Sequence, residues 1–230
     1  MEIVPVVDLK GGSVVRARMG ERSQYRPIAT PLSATSEPVD VVRGLLSVFP
    51  FKTLYIADLD AIEGKGEQAS VCQRIAATFP HLNLWIDNGM ADLAAAESFL
   101  AAGRSHLVLG SESVKDGALV RRFTGHARVV LSLDFRAESF QGPPALLENP
   151  ALWPRRVIVM TLARVGSGAG PDMDRVRAIR SAAPRHDIFA AGGVRDAADL
   201  VALKGLGVAG ALVASALHDG RLRRSDLEKF

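Results

Sequence analysis

The chain has 230 residues, 48% of them hydrophobic and 23% charged, with 21 Gly and 12 Pro, a balance that excludes disordered and fibrous classes and suffices for one substantial core. Its 28 Lys and Arg against 25 Asp and Glu leave a net charge of +3, and the basic spots Arg121-Arg122, Arg155-Arg156 and Arg221 to Arg224 are scattered without interleaved aromatics, which argues against nucleic acid as a partner. One cysteine, Cys72, excludes an intrachain disulfide, no apolar run has membrane-spanning length, and Met1-Glu2 opens directly into a strand-like run, so a cytoplasmic chain with no membrane partner is expected.

Short apolar runs predict strands at Ile3 to Asp8, Thr53 to Asp58, Leu82 to Asp87, His106 to Gly110, Val129 to Asp134, Arg156 to Thr161, Ile188 to Ala191 and Gly210 to Ala214. They are rich in Val, Ile and Leu and mostly non-alternating, as parallel strands buried on both faces require. Between them, helical patterns cover Glu37 to Ser47, Gly66 to Phe79, Met90 to Ala102, Asp116 to Phe123, Pro143 to Glu148, Asp172 to Ser181 and Asp196 to Leu203, with a closing piece from Asp219. Eight strands alternating with helices predict an α/β fold, a single (β/α)8 TIM barrel over residues 1–230. An open doubly wound sheet is the alternative that strand count alone leaves standing.

An internal echo favours the barrel. Leu84 to Met90 aligns with Ile188 to Val194 at an offset of 104 residues, Leu107 to Ser111 aligns with Ala211 to Ser215 at 104, and Tyr55 to Leu59 aligns with Ile158 to Leu162 at 103. Three near-equal offsets in the same order describe a half-barrel repeat. The first strands of the halves pair Asp8 with Asp134 at an offset of 126. The extra length falls in Met19 to Glu37, a long, weakly periodic loop placed to cover the mouth.

In a barrel the strand ends open onto one face, so Asp8 and Asp134 face each other across the mouth, where two carboxylates can divide acid and base roles. The competing reading is that each merely caps a turn. Gly110-Ser111 and Gly192-Gly193, together with Ser215, permit close backbone approach to an anion and point to a phosphate held after the seventh and eighth strands. Asp58 and Asp87 add acid to the mouth, but no histidine joins them and the spacing has no metal signature, so no metal is expected. Arg18 follows a short extended piece and is a candidate contact for substrate.

These residues resemble the histidine-biosynthesis barrel family, which comprises phosphoribosylformimino-5-aminoimidazole carboxamide ribotide isomerase and the cyclase subunit of imidazole glycerol phosphate synthase. The resemblance runs from Val4-Pro5-Val6-Val7-Asp8-Leu9-Lys10-Gly11-Gly12 through Ala57-Asp58-Leu59-Asp60, Leu109-Gly110-Ser111, Leu133-Asp134-Phe135-Arg136 and Ala191-Gly192-Gly193-Val194 to Leu212-Val213-Ala214-Ser215, and is closer to the isomerase. It implies that Asp8 and Asp134 are general base and general acid of an Amadori-type aldose–ketose isomerisation that needs no cofactor. It implies a substrate with two phosphates, one held by Gly89, Gly110 and Ser111, the other by Gly192, Gly193 and Ser215. Thr161 stands where the family keeps a helper threonine.

The chain departs from that pattern in four places, one of them after the eighth strand, where Ala214-Ser215 stands for the usual Gly-Arg. Asp87-Asn88-Gly89-Met90 replaces a run of three glycines, Leu162 and Gly166 replace two aspartates after the sixth strand while Arg164 lies between them, and the strand-five loop lacks the Gly-Trp that stacks on a base. Three readings therefore stay open: an isomerase of a phosphorylated aminosugar or nucleotide-like metabolite; a diverged relative acting on another small phosphorylated or pterin-like metabolite, as in methanopterin-linked one-carbon metabolism; and a noncatalytic regulatory or scaffold barrel. The expected state is a monomer or a homo-oligomer.

Overall fold

A computed structural model describes residues 1–230. Eight parallel strands, β1 (Glu2–Lys10), β2 (Thr53–Asp58), β3 (Asn83–Asp87), β4 (His106–Gly110), β5 (Val129–Arg136), β6 (Arg156–Thr161), β7 (Asp187–Ala191) and β8 (Gly210–Val213), pair in sequence order. Pairing of β8 with β1, with Ile3 opposite Ala211 and Val4 opposite Leu212, closes the sheet. The open doubly wound alternative is thereby excluded. The repeat appears in the strand limits themselves: β3 starts at Asn83 and β7 at Asp187, β4 at His106 and β8 at Gly210.

Helices α1 (Pro38–Val48), α2 (Ala69–Thr78), α3 (Leu93–Ala102), α4 (Gly117–Arg122), α5 (Pro144–Glu148), α6 (Met173–Ala182) and α7 (Ala197–Gly205) lie outside the barrel, within a few residues of their expected limits. Five of the seven starts are fixed by acidic caps. Asp92, Asp116, Asp172 and Asp196 each accept from first-turn N–H groups, and Glu37 does so for α1, satisfying donors that the helix itself leaves orphaned. The closing piece is two short turns, Ser215–His218 and Arg224–Leu227. No helix is long and apolar enough to cross a membrane.

Side-chain alternation divides the apolar residues between two cores. Val7, Leu9, Ile56, Ile86, Leu109, Leu131, Leu133 and Val159 point outward and pack under the helices, where Cys72 of α2 is also buried. Val4, Tyr55, Trp85, Val108, Val130, Ile158, Phe189 and Leu212 fill the barrel interior. Trp85 and Phe189 meet edge to face at 4.9 Å, flooring the barrel below its mouth.

Strand one differs from its expected form. It does not end at Asp8 but runs on to Lys10, and Gly11 and Gly12, at φ +56° and +80°, turn it into an antiparallel ribbon with Ser13–Arg16. Two consecutive positive φ values are what a primed two-residue hairpin demands, which only glycine-like residues supply without strain. Asp60 accepts from Gly11 N–H at 2.7 Å and anchors the turn to the β2 loop. Two further short strands, Arg26–Pro27 and Ser139–Phe140, also lack an apolar signature in the sequence.

Candidate active site

The same alternation selects what reaches the mouth. Above the interior core, Asp8 of β1, Asp87 of β3 and Asp134 of β5 keep inward parity with Val6, Trp85 and Val130, and all three line one cavity of about 470 Å³. β1 and β5 are on opposite sides of the closed sheet, so Asp8 and Asp134 approach the cavity from opposite walls. Tyr55, Arg18, Arg22, Glu112, Gly192, Gly193 and Ser215 complete the parts of the wall that matter for chemistry.

Asp134 is held firmly. Ser132 Oγ donates to Oδ1 at 2.7 Å, Ser111 Oγ and the Glu112 N–H donate to Oδ2 at 3.2 and 3.3 Å, and the Asp134 N–H donates back to Ser111 Oγ at 2.8 Å. Burial nevertheless pushes its carboxyl up to about 7, and the nearby Asp87 adds to the rise because like charges disfavour ionisation. Asp87 itself accepts from Tyr55 OH at 3.1 Å and from Gly89 N–H at 3.2 Å; burial pushes it up to about 6. A side chain at Gly110 would place its Cβ 3.3 Å from Asp87 Oδ2 and 3.4 Å from Asp134 Oδ2. The glycine is what leaves room for the two carboxylates on neighbouring faces of one point.

Asp8 is pushed up to about 7 by burial, opposed by the positive charge of Arg22. Arg22 comes from the long first loop, ion-paired to Glu112 after β4 and with its carbonyl bonded by Lys10 Nζ at 2.9 Å. The same loop is stitched to the opposite rim: Met19 N–H donates to Val165 O at 2.7 Å, and a Cβ on Gly166 would come within 2.6 Å of Ala17 O. The segment from Arg16 to Arg26 thus forms part of the cavity wall.

On the β7 and β8 side, Gly192 and Gly193 adopt φ +95° and +94°, and a Cβ there would collide with Thr161 O at 2.5 Å and Gly170 O at 2.3 Å. Packing alone therefore requires both glycines. The backbone N–H groups of Gly193, Val194 and Ser215 make no hydrogen bond within the chain, leaving three donors beside the cavity. Arg18, exposed and without an ion pair, and Arg221, paired with Asp219, line the same cavity.

The remaining sequence-derived candidates lie elsewhere. Asp58 has the outward parity of Ile56 and is buried accepting from Ala61 N–H and Gln68 N–H, so it caps the short helix after β2 and does not reach the mouth. Thr161 is likewise outward, 3.5 Å from Asp172. Arg164 donates to Ala169 O within its own loop. Gly89 and Gly110 are outside the cavity lining, and Ser111 is fully buried and spends its hydroxyl on Asp134 and Gln141 O. The expected phosphate set Gly89, Gly110 and Ser111 is therefore not assembled as an anion cradle, because its free donors serve the two carboxylates. Tyr55 and Ser132 share inward parity or a neighbouring position with the aspartates and were findable by alternation; Arg22 and Glu112 sit in aperiodic loops that carry no such signal. No group of three or more His, Cys, Asp or Glu is arranged to hold a metal ion.

Comparison with known families bears on this site. Residues 2–223 match the family described as histidine biosynthesis protein. The chain belongs to the histidine-biosynthesis family. Within it, the chain is 30% identical to 1-(5-phosphoribosyl)-5-((5-phosphoribosylamino)methylideneamino)imidazole-4-carboxamide isomerase of Thermus thermophilus, with 97% of each chain covered. It is 27% identical to the isomerase of the same name from Halothermothrix orenii over the full length of both. A protein of Methanocaldococcus jannaschii that is named only as uncharacterized is also 27% identical, covering 100% of this chain and 97% of that one. Membership of the histidine-biosynthesis family thus extends over the barrel and both halves of its mouth.

Proposed function

We propose that this chain is an isomerase of a small phosphorylated, nucleotide-like metabolite, working by proton transfer between Asp8 and Asp134. The observation that carries the reading is the placement of two carboxyls on opposite walls of one cavity, both pushed up to about 7, where one can be ionised while the other keeps its proton at neutral pH. The family and its isomerase-named members support the same class. The open cavity speaks against a scaffold with a plugged mouth.

In an Amadori-type reaction Asp134, protonated, donates to the ring oxygen of an aminoaldose as the C1–O bond breaks and the amine lone pair forms the C1–N double bond. Asp8, ionised, then removes the C2 proton, and the resulting enolamine tautomerises to the aminoketose. The free N–H groups of Gly193, Val194 and Ser215 hold a phosphate of the substrate, with Gly192 shaping the turn and Arg18 adding charge.

The test is turnover of the imidazolecarboxamide named for the Thermus relative, followed together with solvent deuterium entering the product. Asp8→Asn and Asp134→Asn should each lower kcat by roughly 10²- to 10⁴-fold while phosphate-ester binding persists. Unchanged turnover in both variants would sink the mechanism. A folded parent that binds phosphate esters yet leaves this compound untouched would move the substrate, not the chemistry, to the diverged reading.

A further inference from the structure

The two ends of the cavity differ in electrostatic character. At the β7 and β8 end, three backbone N–H groups are unpaired, and Arg18, which has no carboxylate partner, lines the same cavity. At the β2, β3 and β4 end the wall carries Asp87, Glu112 and Tyr55, and the one cation close to them, Arg22, is already committed to Glu112. Four donors at this end already serve carboxyls: Gly89 N–H and Tyr55 OH both donate to Asp87, and the Ser111 hydroxyl and Glu112 N–H donate to Asp134. Asp87 thus occupies the place an external anion would take.

A phosphate brought to this end would meet the Asp87 and Glu112 carboxylates, with the donors nearest Asp87 and Asp134 already serving carboxyls, an arrangement that costs more than it returns. A protonated amine or an amino-bearing heterocycle meets the opposite situation: fixed acceptors, a negative wall and little reorganisation. Relatives in the family are named for a compound with two phosphoribosyl groups. We infer that this chain instead takes a singly phosphorylated substrate whose far end is a hydrogen-bond-donating nitrogen group, with Asp87 as the residue that sets this specificity. The inference rests on the phosphate reading given above for Gly193, Val194 and Ser215.

Calorimetric titration of the full chain at neutral pH with four probes tests it: inorganic phosphate, glucose 6-phosphate, glucosamine 6-phosphate and fructose 1,6-bisphosphate. Glucosamine 6-phosphate should bind at least about tenfold more tightly than glucose 6-phosphate, a difference of about 1.4 kcal/mol, and the bisphosphate no more tightly than glucose 6-phosphate. Asp87→Asn should reduce the amine preference to near unity and improve bisphosphate binding severalfold. Asp87→Ser serves as the second variant should the amide fail to fold, and the comparison among probes on the parent chain decides independently of either. Equal binding of the amino and hydroxy sugars, or tightest binding of the bisphosphate by the parent, overturns the inference and leaves the phosphate site intact. Absence of binding by every phosphate compound overturns the phosphate reading and the inference with it.

Discussion

Replacing Asp8 with Asn should stabilise the fold at alkaline pH while removing the proposed base. The carboxyl rises from its ordinary 3.8 to about 7 through burial, opposed only by the charge of Arg22, with no hydrogen bond to support the ionised form. Because the folded state holds this proton more tightly than the unfolded chain, its contribution to stability is complete below about pH 3.8 and is lost as pH rises through about 7. At about 1.4 kcal/mol per pKa unit, the loss has a ceiling of about 4 kcal/mol. Asp8 retains partial access to the water-accessible cavity, and screening there reduces the expected gain from neutralising it to about 1–2 kcal/mol. For a chain of this size that is a rise in Tm of about 2–8 °C. Thermal and urea unfolding of the parent and Asp8→Asn at about pH 4 and about pH 8.5 should show the gain at the higher pH and most of it gone at the lower. An Asn variant that is less stable than the parent at the higher pH, or that differs from it equally at both, would refute the assignment of a buried, uncompensated carboxylate.

Arg22→Gln removes the charge that holds Asp8 down, so the acid limb of the pH–rate profile should move to higher pH; a limb that stays or moves lower contradicts the pairing. Ser215→Asp sets a carboxylate among the three free N–H groups and should weaken phosphate binding by at least about tenfold with little change in Tm, measured by calorimetry and thermal melting. Gly110→Ala inserts a methyl group 3.3–3.4 Å from the Asp87 and Asp134 oxygens; a stability loss of about 1 kcal/mol with a much larger fall in kcat is expected, whereas an unaffected kcat would show that the carboxylate spacing is not critical.

The barrel was legible because its strands are short apolar runs separated by helical patterns, and because the half-barrel offset of 104 residues recurs in the strands themselves. Where strand one stops was not, since a hairpin stabilised by Gly11 and Gly12 continues the ladder beyond the apolar run. Asp8, Asp87 and Asp134 were visible as acids at strand ends, yet so was Asp58, and nothing in composition separates it from them. Parity does: Asp58 lies one residue out of phase with Ala57 and turns to cap a helix, whereas Asp87 is in phase with Trp85.

The amino-acid order by itself determined the eight-strand α/β class, the pairing of Asp8 with Asp134 as equivalent positions of two halves, and the glycines after the seventh strand, because periodicity, repeats and turn residues are local properties. Tertiary structure alone decided which donors remain free. Gly193, Val194 and Ser215 keep theirs, while those of Gly89, Ser111 and Tyr55 are consumed by two buried carboxylates, and Arg22 is brought beside them from a loop with no pattern of its own. Hydrogen bonds and charges are satisfied in three dimensions, so the polarity of the mouth exists only once the barrel has closed.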